Sequence, residues 1–255
     1  MLSAKKNVPK IKSLIKHEKQ LTVFVSIFVI LQIIFYILMK NVSFSLFAYI
    51  CIITSCLFCV LLFDSSKAYR YTQIGLIATV GADFFLVFLP VQLRIPGMLC
   101  FCVTQIAYFL RIYNEDDCAK RKKVHLILRV IISILSLVVT AIVLGNRVDA
   151  LSLISIFYYG HLILNVLFSF CSGKKIRVLA VALLFFILSD TLIGLGFLRS
   201  YFLIPRGSVI FIITQVCDRM IFPLYITSQT LIPLSLLQRK RKALKKEESG
   251  QFFED

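Results

Sequence analysis

The sequence predicts an all-α, polytopic membrane protein: one bundle of eight transmembrane helices with both termini in the cytoplasm. Three observations carry that prediction. Of 255 residues, 59% are hydrophobic and only 16% are charged, whereas soluble domains have about 45–50% apolar and about 25% charged residues. The apolar residues gather into eight runs, each near the roughly 17–25 residues that a spanning helix needs. The cations alternate between loops, 22 of the 29 Lys and Arg falling on one side of those runs and five on the other. Cytoplasmic loops collect Lys and Arg, so the side that holds the 22 is the inner one.

In chain order the runs are 22–39, 43–63, 72–89, 95–113, 124–144, 150–171, 177–198 and 208–237. Residues 1–21 form a basic cytoplasmic segment with six Lys, 22–237 a single membrane domain, and 238–255 a basic then acidic cytoplasmic tail expected to be disordered. The first run lacks the small-residue pattern of a cleavage site and reads as an uncleaved first span. The inner cations after it are Lys67 and Arg70, then Arg111 and Lys120 to Lys123, then Lys174, Lys175 and Arg177, and finally six in the tail. Lys40, Arg94, Arg147, Arg199 and Arg206 face outward, and Arg129 and Arg219 lie within runs. Adding or removing one span would invert every later loop and spoil this alternation. The last run is long and carries Pro223, so a kink or tilted path is expected there.

The net charge of +16 does not point to nucleic acid, because the cations sit in short stretches between apolar runs. There they orient helices and meet anionic lipid headgroups. Seven of the eight cysteines lie in apolar runs, where Cys behaves as a small hydrophobe. Cys56 and Cys59 have C-x-x-C spacing without a second pair or a nearby base, which gives neither a redox nor a zinc motif. Asn41-Val42-Ser43 matches a glycosylation acceptor but lies against the bilayer and reads as chance.

Asp83, Asp190 and Asp218 are the acids well inside the runs, together with Arg219 and His161. An Asp at a helix centre costs about 2.5–3.5 kcal/mol even on a lenient insertion scale, so it should face the bundle interior and mark function. Asp218-Arg219 reads as a local charge pair. Asn165, Gln215 and the tyrosines of the runs read as helix-to-helix hydrogen bonds. His161 stays open between a packing residue and a substrate contact. With Thr72 and Arg177 as first residues of their spans, Asp83 lies 11 and Asp190 13 residues in. At about 1.5 Å per residue, both sit some 16–20 Å above the inner boundary, on helices of the same direction. Two carboxylates at one level can share a site. One His and two Asp make too weak a donor set for a metal, and no cofactor is expected.

At these residues the sequence resembles the YhhN-type lysoplasmalogenase family of eight-span membrane proteins. The likeness lies in "VGADFFLVF" with Gly81 and Asp83, and in "LLFFILSDTLIGLGFL" with Ser189 and Asp190, the more specific of the two. "VTQIAYFL" with Gln105 and Tyr108, and "YITSQTLI" with Tyr225 and Gln229, are similar to the family's polar positions in spans 4 and 8. Two departures stand out: Ala82 separates Gly81 from Asp83, and Gln105 stands where the family has His. The resemblance implies hydrolysis of the vinyl-ether bond of lysoplasmalogen, giving a fatty aldehyde and a glycerophospho-alcohol. It makes Asp83 and Asp190 the catalytic pair, with Gln105, Tyr108, Ser189, Tyr225 and Gln229 toward substrate; His161 joins the substrate-facing candidates through its place within a run, not through the resemblance. The chemistry fits. Cleaving a vinyl ether needs a proton on carbon and an anion beside the resulting oxocarbenium ion, and burial of two neighbouring carboxyls keeps one protonated while the other stays ionised. The expected partner is a membrane lysophospholipid, in the plasma membrane. The alternative is a lipid-binding or transport protein whose acids bind protons or link helices, although the runs lack the matched broken helices of many carriers.

Overall fold

The structure is a computed structural model and describes residues 8–39, 44–61, 66–89, 93–202, 205 and 207–248. Of these, side chains 8–19, 39, 44, 45, 47, 48, 198–201, 210, 212–219 and 238–248 lie outside the description. The acceptor sequence at Asn41 and the side chains of Gln215, Asp218 and Arg219 are thereby excluded.

Among the described residues there are eight α-helices and no strand: α1 (Val8–Met39), α2 (Phe44–Leu61), α3 (Lys67–Asp83), α4 (Arg94–Glu115), α5 (Ala119–Leu144), α6 (Ala150–Cys171), α7 (Arg177–Tyr201) and α8 (Val209–Glu248). Each overlaps one of the eight apolar runs. Seven are long and apolar enough to cross a membrane, and α2 adds a shorter apolar helix, Tyr49–Leu61. The bundle is inside-out relative to a soluble protein. Val130, Ile131, Ile134 and Leu135 on α5 are exposed, while Thr79, Gln105, Asn165 and Gln229 are buried. Backbone groups of such helices are satisfied internally, which is what hydrocarbon demands.

Several boundaries differ from those expected: α1 already begins at Val8, within the segment expected to precede the first span, and α5 begins at Ala119 rather than 124. α3 starts at Lys67 rather than Thr72 and ends at Asp83, passing into a π-helical turn, Phe84–Phe88. α8 runs through Pro223 and Pro233 to Glu248, so the basic stretch expected to be disordered from residue 238 is helical up to there.

Local chemistry accounts for the turns. Asp149 opens α6 with a capping box: its carboxylate accepts the Ser152 N–H at 2.7 Å, and the Ser152 hydroxyl accepts the Asp149 N–H at 3.1 Å. Gly145 ends α5 at φ 51°, a backbone conformation other residues avoid. Between α4 and α5, Asp116 accepts two hydrogen bonds from Arg121 at 2.5 and 2.6 Å, one from the Cys118 N–H at 2.9 Å, and one from the Ser172 hydroxyl at 3.0 Å. It thus ties the α4–α5 connection to the end of α6.

The Arg121 hydrogen bonds, aided by Cys118 and Ser172, hold the Asp116 carboxyl down at about 2, against an ordinary 3.8, although burial pushes it the other way. A depressed folded-state value means that the stabilisation is complete above about pH 4 and disappears as pH falls through about 2. Asp116→Asn is therefore expected to melt below wild type at neutral pH, with the gap closing between pH 4 and 2. Thermal denaturation across that range checks it, and a gap that persists at pH 2 would show that the loop is held by something other than the charge.

α3, α4, α6, α7 and α8 form a closed ring of neighbours, with α3 packed most extensively on α4 and α7 on α8. α5 lies outside against α6, while α1 and α2 lie against each other and against α8. Both buried acids are on ring helices.

Candidate functional site

Asp83 is the last α-helical residue of α3 and is 7% exposed. The π turn after it widens the helix, a feature common at functional sites. α4 presses against this junction through Gly97, where an added Cβ would lie 2.7 Å from Leu86 Cγ and 3.1 Å from the Ala82 carbonyl oxygen. Only a residue without a side chain allows so close an approach, and it secures the backbone that presents Asp83.

The Tyr225 hydroxyl of α8 donates to Asp83 Oδ2 at 2.8 Å. Across the ring, the Tyr158 hydroxyl of α6 donates to Asp190 Oδ2 on α7. Asp190 is half-buried, the next residue Thr191 meets the Tyr159 hydroxyl at 2.7 Å, and α6 and α7 are thus joined twice. A run of ring contacts connects the two Asp–Tyr pairs: Tyr158 to Phe101 (centroids 5.4 Å apart), Phe101 to Phe186 (6.0 Å) and Phe186 to Tyr225 (5.6 Å). α4, α6, α7 and α8 each contribute one ring to this platform.

The remaining residues singled out in the sequence lie in four different surroundings. Ser189 is buried and donates to the Ile221 carbonyl at 3.0 Å, so it ties α7 to α8 beside Asp190. Gln229 is buried one turn along α8 from Tyr225, on the same face, and both its amide atoms lack a hydrogen-bond partner among the described residues. Tyr108 is buried with its ring over Gly75.

Gln105 and His161 belong to a second network, between α4, α5 and α6. Asn165 Nδ2 donates to the Gln105 carbonyl oxygen at 2.9 Å and to its Oε1 at 2.8 Å. Arg129 Nη2 donates to Asn165 Oδ1, and Nη1 to His161 Nδ1 at 2.9 Å. Since Arg can only donate, His161 Nδ1 carries the lone pair. Its Nε2–H then faces the Ser133 hydroxyl at 3.1 Å, and Ser133 donates onward to the Arg129 carbonyl at 2.7 Å. The same logic turns Gln105 Nε2 away from the network, where it is buried without a protein partner.

Residues 51–236, well over half of the chain, match the family model described as the YhhN family. The chain belongs to the YhhN family. No curated protein and no solved structure matches. The matched segment of this YhhN chain contains both acids, both tyrosines that bond them and the second network. Membership and the apolar helices make it an integral, multi-pass membrane protein. Among the described residues no group of three or more His, Cys, Asp or Glu could hold a metal ion. The described cysteines are free thiols, including the C-x-x-C pair.

Tyr158 and Arg129 join the candidate site through their hydrogen bonds, although sequence reasoning assigns them no part in it. Tyr158 stood among several in-span tyrosines, and no spacing rule marks the one that reaches an acid 32 residues away. Arg129 did carry a signal, as a cation within an apolar run.

Proposed function

We propose that this protein hydrolyses the vinyl-ether bond of a lysoplasmalogen within the membrane, releasing a fatty aldehyde and a glycerophospho-alcohol. One observation carries the proposal: two carboxyls inside the bundle, Asp83 on α3 and Asp190 on α7, are each held by a tyrosine hydroxyl and flank one aromatic platform. Family membership supports it.

One Asp, protonated, delivers its proton to the vinyl carbon β to the ether oxygen, and the electron pair of the double bond forms the new C–H bond. The carbon bound to the oxygen becomes an oxocarbenium ion, which the second, ionised Asp stabilises, as in other paired-carboxylate hydrolases. Water adds to that carbon and gives its proton to the carboxylate left by the first step, which returns it to the glycerol oxygen as the hemiacetal loses its hydroxyl proton and collapses to aldehyde and alcohol. The hydroxyls of Tyr158 and Tyr225 fix the carboxyls in place. Buried amides left unsatisfied are costly in a folded protein, so the free donors of Gln105 and Gln229 suit glycerol hydroxyls or the attacking water. Ser189, Tyr108 and His161 then serve as positioning residues. The enzyme would sit in the plasma membrane with both termini in the cytoplasm, as the cation asymmetry favours.

Purified protein in detergent, given lysoplasmalogen, should release aldehyde, while the matching ester lysophospholipid gives none. No aldehyde, with proton-coupled lipid uptake in liposomes, would favour a carrier instead. Tyr225→Phe and Tyr158→Phe should each lower kcat about tenfold, the smaller end of what a hydrogen bond to a charged group contributes. Unchanged kcat in both variants would leave the tyrosines structural.

A further inference from the structure

Arg129 lies ten residues into α5, about 15 Å along its axis, and is 9% exposed. Every partner that holds it is neutral: His161 Nδ1, Asn165 Oδ1 and the face of Phe109, whose centroid is 4.0 Å from the guanidinium carbon. No carboxylate pairs with it among the described residues, and its Nε is buried without a hydrogen-bond partner. A guanidinium buried in hydrocarbon without a countercharge is expensive. Its neutral partners fix the plane of the fork and leave its charge uncompensated, the arrangement that an anion with several acceptor oxygens completes.

The position of the guanidinium indicates which anion. His161 follows Tyr158 by three residues on α6, so the Arg129 network and the Asp190–Tyr158 pair are offset by about 4.5 Å along one helix. The offset runs toward the Cys171 end, where Asp116 joins α4, α5 and α6 and where the cations gather. A glycerol backbone, three carbons long, links a reacting ether to a phosphate over a comparable span.

We propose that Arg129 is the headgroup-binding residue of this site, holding the phosphodiester of a lysophospholipid while the chain beyond the glycerol lies across the aromatic platform. Which bond is presented to the acids rests on the hydrolase assignment; the phosphodiester contact does not. Asn165, His161 and Phe109 position the guanidinium, and Ser133 fixes His161.

The test is equilibrium binding to the full-length protein in detergent, using radiolabelled lysophosphatidylcholine and a 1-O-alkylglycerol of equal chain length, which has no phosphate. Wild type should prefer the phosphodiester by at least about tenfold, the low end for hydrogen bonds to charged groups. Arg129→Gln should reduce that preference below about twofold and keep the alkylglycerol affinity, and Arg129→Lys should retain part of it. Asn165→Asp, which gives the guanidinium an internal countercharge, should lower phosphodiester affinity with Arg129 still in place. The proposal falls if Arg129→Gln keeps the preference, if it weakens both ligands equally, if Asn165→Asp binds like wild type, or if inorganic phosphate competes as well as the lysolipid. Binding needs no turnover. An Arg129-dependent preference without aldehyde release would remove the hydrolase assignment alone, and aldehyde release with an Arg129-independent preference would remove this one alone.

Discussion

Replacing Asp190 by Asn is expected to lower aldehyde release from lysoplasmalogen by about a thousandfold, and Asp83→Asn to do the same. Asn keeps the shape of Asp, and its carbonyl oxygen still accepts the hydroxyl of Tyr158 or Tyr225. It can neither deliver a proton to carbon nor stand as an anion beside an oxocarbenium ion. General acid catalysis alone contributes about 10²–10⁴-fold, and loss of the anion acts on the same transition state. The two substitutions should therefore be far from additive, with the double variant little worse than either single one. Folding is expected to survive, because each change removes a carboxyl that pairs with no cation among the described residues. Aldehyde formation measured beside the thermal denaturation of the same sample separates the two effects. Normal turnover in a folded Asp190→Asn protein would remove Asp190 from the chemistry, and with it the paired-acid mechanism.

The largest expected effect on stability lies one turn below Thr79, where α3 meets α4. An added Cβ at Gly75 would stand 2.4 Å from Cε1 and 2.9 Å from Cζ of Tyr108. That ring is fully buried, and the Gly75 carbonyl already accepts from Thr79 at 2.9 Å and Thr104 at 3.2 Å. Neither the ring nor the backbone has room to give way. Gly75→Ala should cost about 1–3 kcal/mol, the usual range for overpacking, and Gly75→Val more. A Gly75→Ala/Tyr108→Leu double variant should regain stability over the single Gly75→Ala change, since contacting residues couple. Thermal unfolding of the four proteins closes the cycle. Additive losses would mean that the α3–α4 seam repacks elsewhere.

Much of the architecture was legible because each of its signals is local. Runs of 18 or more apolar residues mark spanning helices wherever they occur, and Lys and Arg between them set alternation without reference to any contact. Asp83 and Asp190 could be singled out for the same reason: a carboxyl in an apolar run is costly whatever surrounds it. The boundaries were less legible. α3 begins five residues before Thr72 because Tyr69 and Arg70 can lie along a helix at the membrane edge, with Tyr69 bonding the Val60 carbonyl at 3.0 Å. The π turn after Asp83 had no sequence signal.

By itself, then, the sequence determined that this is a membrane bundle, which residues are too polar to face lipid, and which family the motifs resemble. Only the tertiary structure decided who meets whom. It paired Asp83 with Tyr225, 142 residues away, and Asp190 with Tyr158 rather than with Ser189 beside it. It also joined His161 to Arg129 and Gln105 to Asn165 in one network between α4, α5 and α6. The reason is physical. Burial cost belongs to a residue and its immediate neighbours along the chain, whereas a hydrogen bond needs donor and acceptor within about 3 Å, and that proximity is set by how ridges and small residues such as Gly75 and Gly97 let helices approach.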